Sequence, residues 1–189
     1  LFRSGEAAAY LAAQTSSEIV AIDISEKFIL EARKRHSASN LRFECLNLLE
    51  PLPPDLGQFD LTCGNGILHH LVLRLPEFLT VLKQATTPGG SIAFVEPNLL
   101  NPYCAFLFGT QFGRKFGRLD PDEMAFTPGQ LYGAFQQTGW LDIKVVTKDF
   151  LLPGLPEMLV RPSLFIEPLL EATVLTRWLA QSHFVTAQA

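Results

Sequence analysis

Short apolar runs rich in β-branched residues alternate along this chain with stretches whose apolar positions have a helical period. Four runs predict buried strands, at residues 18–23, 41–45, 59–63 and 91–95. Helices are predicted at residues 6–14, 26–36 and 76–85, with Ser25 as N-cap of the second and Pro88-Gly89-Gly90 as a turn after the third. Strands that alternate with helices are typical of right-handed crossovers and a parallel sheet.

The pattern changes after residue 98. Phenylalanines and glycines crowd residues 101–118 without a clean period, and regularity returns at Thr127-Pro128-Gly129-Gln130, which has capping-box spacing. A helix to Gly139, a strand at 141–150, a helix at 163–180 and a last strand at 182–187 are then predicted. The pattern as a whole predicts a doubly wound α/β fold, with helices on both faces of a mostly parallel sheet. Residues 1–189 are interpreted as a single domain.

Composition narrows the class of protein. Of the 189 residues, 48% are hydrophobic, which suffices for a packed core, and the formal net charge of −4 disfavours a general affinity for nucleic acid. The three cysteines, Cys45, Cys63 and Cys104, lack metal-ligand or disulfide spacing, so no metal is expected. No run reaches the roughly 18 apolar residues of a membrane span. We therefore expect a cytoplasmic protein without stable membrane insertion, and the sequence leaves a homodimer open.

Ligands of open parallel sheets bind beyond the carboxyl ends of the strands, so the residues after each predicted strand are candidates for a site. They are Asp23, Asn47 and Leu48, Asn65 with His69 and His70, and Glu96 with Asn98. Asp23 is the most informative, because a carboxylate at a strand end can accept both hydroxyls of a ribose. The alternative is that it satisfies backbone donors at the start of the next helix.

Four motifs follow one another along the chain: strand-Asp-x-Ser, strand-x-Asn-Leu, Phe-Asp-Leu separated by seven residues from His-His, and Pro-Gly-Gly before a strand. This ordered set resembles the class I S-adenosylmethionine-dependent methyltransferases. The resemblance is to the small-molecule type 11/12 group and covers about residues 4–150. It implies that Asp23 holds the ribose of S-adenosylmethionine and that Ile24 packs on the adenine. It also implies that Asn47 and Leu48 face the adenine and that Asn65 lines the methionine end. For the fold, it implies a Rossmann-like sheet that ends with a C-terminal antiparallel strand at residues 182–187.

The start of the chain departs from that family. The family begins with a strand and a glycine-rich loop, whereas here only Ser4-Gly5 matches, with Gly5 in the place of the last glycine and a predicted part of the cofactor site. A central strand could not be lost without exposing its neighbours. We therefore expect the sequence to be N-terminally incomplete.

His69 and His70 are candidates for a general base that takes a proton from the methyl acceptor. Since adjacent helical residues point about 100° apart, only one of them can face the site fully. The alternative is that they pack under the sheet and orient the next helix. Glu96 either holds a substrate or cofactor amine or bonds to local backbone.

Residues 98–126 are predicted to form a lid that selects the substrate, with Asn98, Tyr103 and Phe106 as contacts. An aromatic lid excludes water and favours a small apolar or ring-bearing acceptor. Equally, these rings could complete the core or a dimer contact. Arg114, Lys115 and Arg118 would either meet an anionic group or be solvated.

Three other functions remain open from the sequence. A catalytically inactive binding or scaffold protein would fit the depleted glycine loop. A nicotinamide-dependent dehydrogenase also uses an Asp after its second strand, but the Phe-Asp-Leu to His-His stretch favours methyl transfer. Nucleic-acid methylation is the third, but the sequence lacks the basic stripe and the base-flipping motif that would support it. The favoured function is methyl transfer to a small molecule.

Overall fold

A computed structural model of the chain describes residues 5–150 and 156–189, without the side chains of Val174 and Leu175. The sequence prediction for residues 1–4 therefore lies outside the described residues. The chain forms two compact units that divide between Leu56 and Gly57.

The first unit pairs two parallel strands with two helices. Its elements are α1 (Glu6–Gln14), β1 (Ile19–Asp23), α2 (Glu26–Arg35) and β2 (Leu41–Cys45). β1 and β2 run parallel, with Ile19 opposite Leu41 and Asp23 opposite Cys45. Both helices contact β1. Every residue of β1 is only half-buried, contrary to the expected burial on both faces, because within this unit β2 is the one strand that flanks it.

The second unit carries a four-stranded mixed sheet. Its strands are β3 (Phe59–Asn65), β4 (Thr86–Pro97), β5 (Leu141–Lys148) and β6 (Ser182–Gln188). Its helices are α3 (Leu75–Gln84), α4 (Pro102–Gly109), α5 (Gln111–Gly117), α6 (Pro128–Gln137), α7 (Glu157–Ala172) and α8 (Val174–Arg177). The strand order is β3-β4-β6-β5, with β3 parallel to β4 and β6 antiparallel to both of its neighbours. The predicted α/β class, with a mostly parallel sheet and a C-terminal antiparallel strand, is confirmed.

Two local signals in the sequence produce the helix starts that they predict. The Ser25 hydroxyl accepts a hydrogen bond from the backbone N–H of Phe28 at the start of α2. Thr127 and Gln130 form the reciprocal capping box at the start of α6. Both motifs satisfy backbone donors that have no partner inside a helix.

Other boundaries differ from the sequence prediction. β4 begins at Thr86 instead of Ser91, because the Pro88-Gly89-Gly90 stretch is an irregularity within the strand and not a turn before it. The aromatic stretch after Asn101 forms α4 and α5. α7 begins at Glu157 instead of Ser163 and contains two prolines, which sequence reasoning treats as boundaries.

The core of the second unit lies where α3 and α6 pack together against the sheet. Phe78 and Leu79 of α3 and Phe135 of α6 are almost fully buried. The Trp140 indole N–H donates to the carbonyl of Leu79 at 3.3 Å, which fixes the start of β5 against α3. Phe78 also packs edge-on against Phe94 of β4, with ring centroids 6.4 Å apart, so this core contacts the strand that ends at Pro97.

Among the described residues, every helix is too short or too polar to pass through a bilayer.

His183 is a buried histidine on β6 and gives a prediction about pH. Its imidazole is fully buried between Thr147 and the carbonyl of Phe126, at 2.9 and 3.1 Å. Burial lowers the pKa of His183 from 6.5 to about 4, although the hydrogen bond to Phe126 acts in the opposite direction. The unfolded chain therefore takes up the proton first, so stability present above pH 6.5 is lost as the pH falls toward 4.

We expect the His183→Gln variant to lose less stability than the wild type between pH 7 and pH 4.5. The full shift corresponds to about 3 kcal/mol, part of which is developed at pH 4.5. Urea unfolding at both pH values measures the difference, and comparison with the wild type cancels the titration of carboxylates. An identical pH dependence in the two proteins would contradict this role for His183.

Candidate active site

The end of β1 presents a carboxylate beside an exposed apolar side chain. Asp23 is the last residue of β1, and its Oδ1 accepts a hydrogen bond from the backbone N–H of Ser25 at 2.8 Å. Its Oδ2 has no hydrogen-bond partner within the described part of the chain. Ile24 is 69% exposed. A free carboxylate oxygen next to an open apolar surface can bind a hydroxyl and a ring of one ligand.

The residues after β2 are engaged locally. The Asn47 amide donates to the Glu50 carboxylate at 2.8 Å, and its oxygen accepts from the backbone N–H of Leu49 at 3.1 Å. Asn47 therefore stabilises its own turn, and Leu48 beside it is half-buried. Contact of either residue with an adenine stays a prediction.

Gly5 packs tightly against the neighbouring elements. Its φ of +80° lies in the left-handed region, and a Cβ there would be 2.7 Å from Cε1 of Phe43 and 2.9 Å from Cβ of Ala32. The last glycine of a dinucleotide-type motif allows a helix to approach the sheet in this way. Gly5 thus has a packing role, and any contact of it with a cofactor stays a prediction.

In the second unit, a cavity of about 270 Å³ opens at the carboxyl ends of β3 and β4; we call it the acceptor cavity. It is lined by Asn65, Gly66, His69, Val95, Glu96, Pro97, Tyr103, Cys104, Leu107, Phe108, Gln181 and Ser182. Strand ends supply its polar side, and α4 supplies an apolar and aromatic wall. Burial raises the pKa of the Cys104 thiol to about 11, which favours the protonated, less nucleophilic form at neutral pH.

Glu96 is the polar centre of this cavity. Its side chain is 0% exposed. Oε1 accepts the backbone N–H groups of Ile67 and Leu68 at 2.9 and 2.7 Å. Oε2 accepts the backbone N–H of His69 at 3.1 Å and lies 2.9 Å from its Nδ1. One buried carboxylate thus fixes the whole turn that follows β3.

The contact with Glu96 sets the tautomer of His69. An ionised carboxylate only accepts hydrogen bonds, so Nδ1 carries the proton and the lone pair is on Nε2. The His69 side chain is 14% exposed, lines the acceptor cavity and lies edge-on to Phe108, with ring centroids 6.0 Å apart. This is the arrangement of a histidine base oriented by a carboxylate.

His70 points to a different carboxylate. Its Nδ1 lies 2.9 Å from Oε1 of Glu123, whose side chain is 9% exposed, while the His70 ring is 39% exposed. Burial and the neighbouring His69 lower the pKa of His70, against the opposing effect of Glu123. The two imidazoles, 4.0 Å apart between centroids, therefore have separate partners.

Glu123 is a site residue that sequence reasoning missed. Arg114 holds its loop by donating to the backbone carbonyls of Asp120, Pro121 and Glu123. Arg114 is therefore engaged with its own loop, and its contact with an anionic group of the substrate stays a prediction. The only signal in the sequence is an acidic run at residues 120–123 after a basic one, which does not reveal that Glu123 turns inward.

Other predicted substrate contacts lie away from the acceptor cavity. Asn98 is fully buried, with its amide donating to the carbonyls of Trp178 and Ala180 and its oxygen accepting from Leu100. Phe106 is 41% exposed and lies 6.1 Å from Phe112, between ring centroids. Tyr103 does line the cavity, together with Leu107 and Phe108, which the sequence did not single out as substrate contacts.

A second depression of about 340 Å³ is formed by β5, α7 and α8. Its charged groups include the ion pair of Lys148 and Glu171, whose atoms are 3.7 Å apart. It has no histidine, and its lining charges are paired or exposed. The acceptor cavity is therefore the better candidate for chemistry, although it is smaller.

Comparison with known proteins identifies a similar domain and similar folds. A family model described as a methyltransferase domain matches residues 3–92. No curated protein matches the chain.

Among solved structures, the chain is similar to an S-adenosylmethionine-dependent methyltransferase from Mesorhizobium loti, with 20% identity, a TM-score of 0.66, and 95% of this chain and 84% of that chain covered. It is also similar to the N-methyltransferase NodS of Bradyrhizobium japonicum in complex with S-adenosyl-L-homocysteine, with 12% identity and a TM-score of 0.59. That match covers 95% of this chain and 70% of NodS. A Haloferax volcanii methyltransferase, solved in complex with the activator Trm112, has 15% identity, a TM-score of 0.70, and 98% and 78% covered. At sequence identities of 12–20%, the structural similarity establishes the fold of this chain.

Proposed function

We propose that this chain, whose residues 3–92 match a methyltransferase domain, is a class I S-adenosylmethionine-dependent methyltransferase and that it methylates a small apolar or ring-bearing molecule bound in the acceptor cavity. The observation that carries the proposal is the pairing of His69 with the buried Glu96 beside an aromatic wall. His69 is the proposed general base. Glu96 is a positioning residue, and His70 is not assigned proton transfer.

The residues of the first unit fit the ribose and adenine of S-adenosylmethionine. The free Oδ2 of Asp23, at the carboxyl end of a parallel strand, suits a ribose hydroxyl. Ile24 offers an exposed apolar surface for a ring. Asn65, exposed at the end of β3, is proposed to contact the methionine end. We assign Gly5, Asn47 and Leu48 an indirect role, because their groups are engaged in packing or in their own turn.

S-adenosylmethionine supplies a methyl group already activated on a sulfonium, so the protein has to position the acceptor and manage one proton. His69 would take up, at Nε2, the proton of an acceptor hydroxyl or amine that binds beside it and receives the methyl group. The sulfonium would supply that methyl group and keep the electron pair of the bond that is given up. Glu96 stabilises the imidazolium that forms, without taking up the proton itself.

The acceptor class follows from the cavity wall. Tyr103, Leu107 and Phe108 present aromatic and aliphatic groups from α4. Burial of such surface against a ligand contributes roughly 25 cal/mol per Å² and excludes water from the reacting atoms. The volume of about 270 Å³ suits a small molecule. These features support a compact apolar or ring-bearing acceptor with one nucleophilic atom, enclosed by residues 98–126 as a lid.

The ribose assignment is tested with the Asp23→Asn variant. Asparagine can still accept the hydrogen bond from Ser25 but offers an N–H₂ group where Oδ2 stood. We expect S-adenosylmethionine to bind the variant about 10–100-fold more weakly, as the loss of a charged acceptor predicts. Isothermal titration calorimetry of the folded protein measures this difference.

The matched control is Asp55→Asn, at an exposed carboxylate of the same unit, and it should bind the cofactor like the wild type. Equal affinity of the wild type and Asp23→Asn would overturn the ribose assignment. Absence of any heat with the folded wild type would favour a catalytically inactive binding protein instead.

A further inference from the structure

His69, His70 and Glu123 offer one ligand atom each within 4.8 Å of one another. They come from the turn after β3 and from the loop between α5 and α6. The backbone links these segments directly, since the N–H of Met124 donates to the carbonyl of His69 at 3.1 Å. The side chains are therefore held together by the fold and do not meet by chance rotation.

His69 has the orientation that metal-binding histidines have. A ligating histidine almost always donates its other ring N–H to a carboxylate or carbonyl, which fixes the tautomer and makes the ligating nitrogen more basic. Nδ1 of His69 contacts Glu96 at 2.9 Å, and within the described residues its Nε2 has no hydrogen-bond partner. Nδ1 of His70 lies 2.9 Å from Oε1 of Glu123, so these two atoms are close enough to bind one ion together.

The largely buried carboxylate of Glu123 can accept more hydrogen bonds than the described residues donate to it. A carboxylate can accept about four hydrogen bonds, and one that is largely buried needs several partners or a cation. The Glu123 side chain is 9% exposed, and among the described residues His70 is the partner of its carboxylate. Oε2 has no such partner, so it can bind a cation.

We infer that His69, His70 and Glu123 form a binding site for a divalent cation of the Zn²⁺ type, with Glu96 orienting His69 from behind. Two imidazoles and one carboxylate suit Zn²⁺, and three protein ligands leave the fourth position of a tetrahedral ion open. A hard cation such as Mg²⁺ prefers oxygen ligands and is disfavoured by this set.

This site was not expected from the sequence, in which two adjacent histidines lack the spacing of a metal motif and Glu123 is far along the chain. Its existence does not rest on the proposed methyl transfer, because the ligand geometry stands by itself. A metal ion on Nε2 of His69 would block proton uptake at that atom, so the metal-bound form would not carry out the proposed methyl transfer.

The test uses the full chain after treatment with a chelator and removal of that chelator. Titration with Co²⁺, followed by visible absorption, and titration with Zn²⁺, followed by calorimetry, should each give one equivalent bound, and Zn²⁺ should displace Co²⁺. We expect the Glu123→Gln and His70→Ala variants to bind Zn²⁺ at least about 10–100-fold more weakly. The partly exposed His70 provides a variant that should fold if Glu123→Gln does not.

The controls are Glu77→Gln, at an exposed carboxylate paired with Arg74, and His36→Ala, at the C-cap of α2. Both should bind the metal like the wild type. The inference is overturned if the wild type binds no stoichiometric Zn²⁺, or if His70→Ala and Glu123→Gln bind it with wild-type affinity. None of these measurements uses the methyl-transfer reaction, so they separate failure of this site from failure of the proposed function.

Discussion

Replacing His69 by alanine is expected to lower kcat for methyl transfer by about 10²–10⁴-fold, while the affinity for S-adenosylmethionine changes little. The magnitude is that of a general base, which acts only when the acceptor loses its proton. His69 lines the acceptor cavity with Nε2 unprotonated, because Glu96 contacts its Nδ1. The variant loses the group that takes up the proton, but Glu96 still accepts the backbone N–H groups of the turn at residues 67–69. Steady-state kinetics and calorimetry of cofactor binding separate the two quantities.

Added imidazole should restore part of the activity of His69→Ala, because a small base can occupy the space of the lost ring. The control is His36→Ala, in the first unit, where we expect wild-type kcat. If His69→Ala keeps wild-type kcat, acceptor positioning alone drives the reaction, and the base assignment is wrong. A loss that imidazole does not repair, together with weakened cofactor binding, would indicate a structural role.

The Glu96→Gln variant is expected to lose both stability and activity. Four donors point at the two carboxylate oxygens, and an amide turns one oxygen into a donor, so either orientation of the amide places donors against donors. A buried group left in this state costs about 3 kcal/mol. We also expect kcat to fall by at least about 10²-fold, because an amide facing Nδ1 favours the tautomer whose Nε2 carries the proton.

Urea unfolding measures the stability change, and the nitrogen chemical shifts of the His69 imidazole report the tautomer. The matched control is Glu77→Gln, which removes an exposed carboxylate on α3 and should change neither quantity. Glu96→Asp keeps the charge and should retain more activity than Glu96→Gln. An unchanged tautomer in Glu96→Gln would refute the positioning role.

Much of the fold is predictable from local sequence. Strands at residues 18–23, 41–45 and 59–63 follow from short apolar runs, and each observed strand overlaps its prediction closely. Ser25 and the Thr127–Gln130 box start α2 and α6 as predicted, because a cap acts over three residues and needs no tertiary contact. The start of β4 was missed, since its proline and glycines form an irregularity that only pairing with β3 stabilises.

Which polar residues follow the strands was predictable, but their contacts were not. The strand-end rule names Asp23 after β1 and, in the second unit, Asn65, His69 and Glu96, which line the acceptor cavity. The different partners of the two adjacent histidines agree with the expectation that the two rings do not point the same way. The rule cannot tell whether a polar side chain is directed toward a ligand or toward the backbone. The Asn98 amide donates to the carbonyls of Trp178 and Ala180, about 80 residues further along the chain. No local sequence pattern reveals these two hydrogen bonds.

The amino-acid sequence by itself determines the order of strands and helices, the caps that begin them, and the edge of the sheet where polar groups gather. These properties depend on residues close together in the sequence, so the pattern of residue types along the chain is enough to predict them. Tertiary structure alone decided that Glu96 faces inward to the turn at residues 67–69 and that Glu123 comes beside His70. The reason is physical: a buried carboxylate must find donors, and the fold brings those donors from segments far apart along the chain.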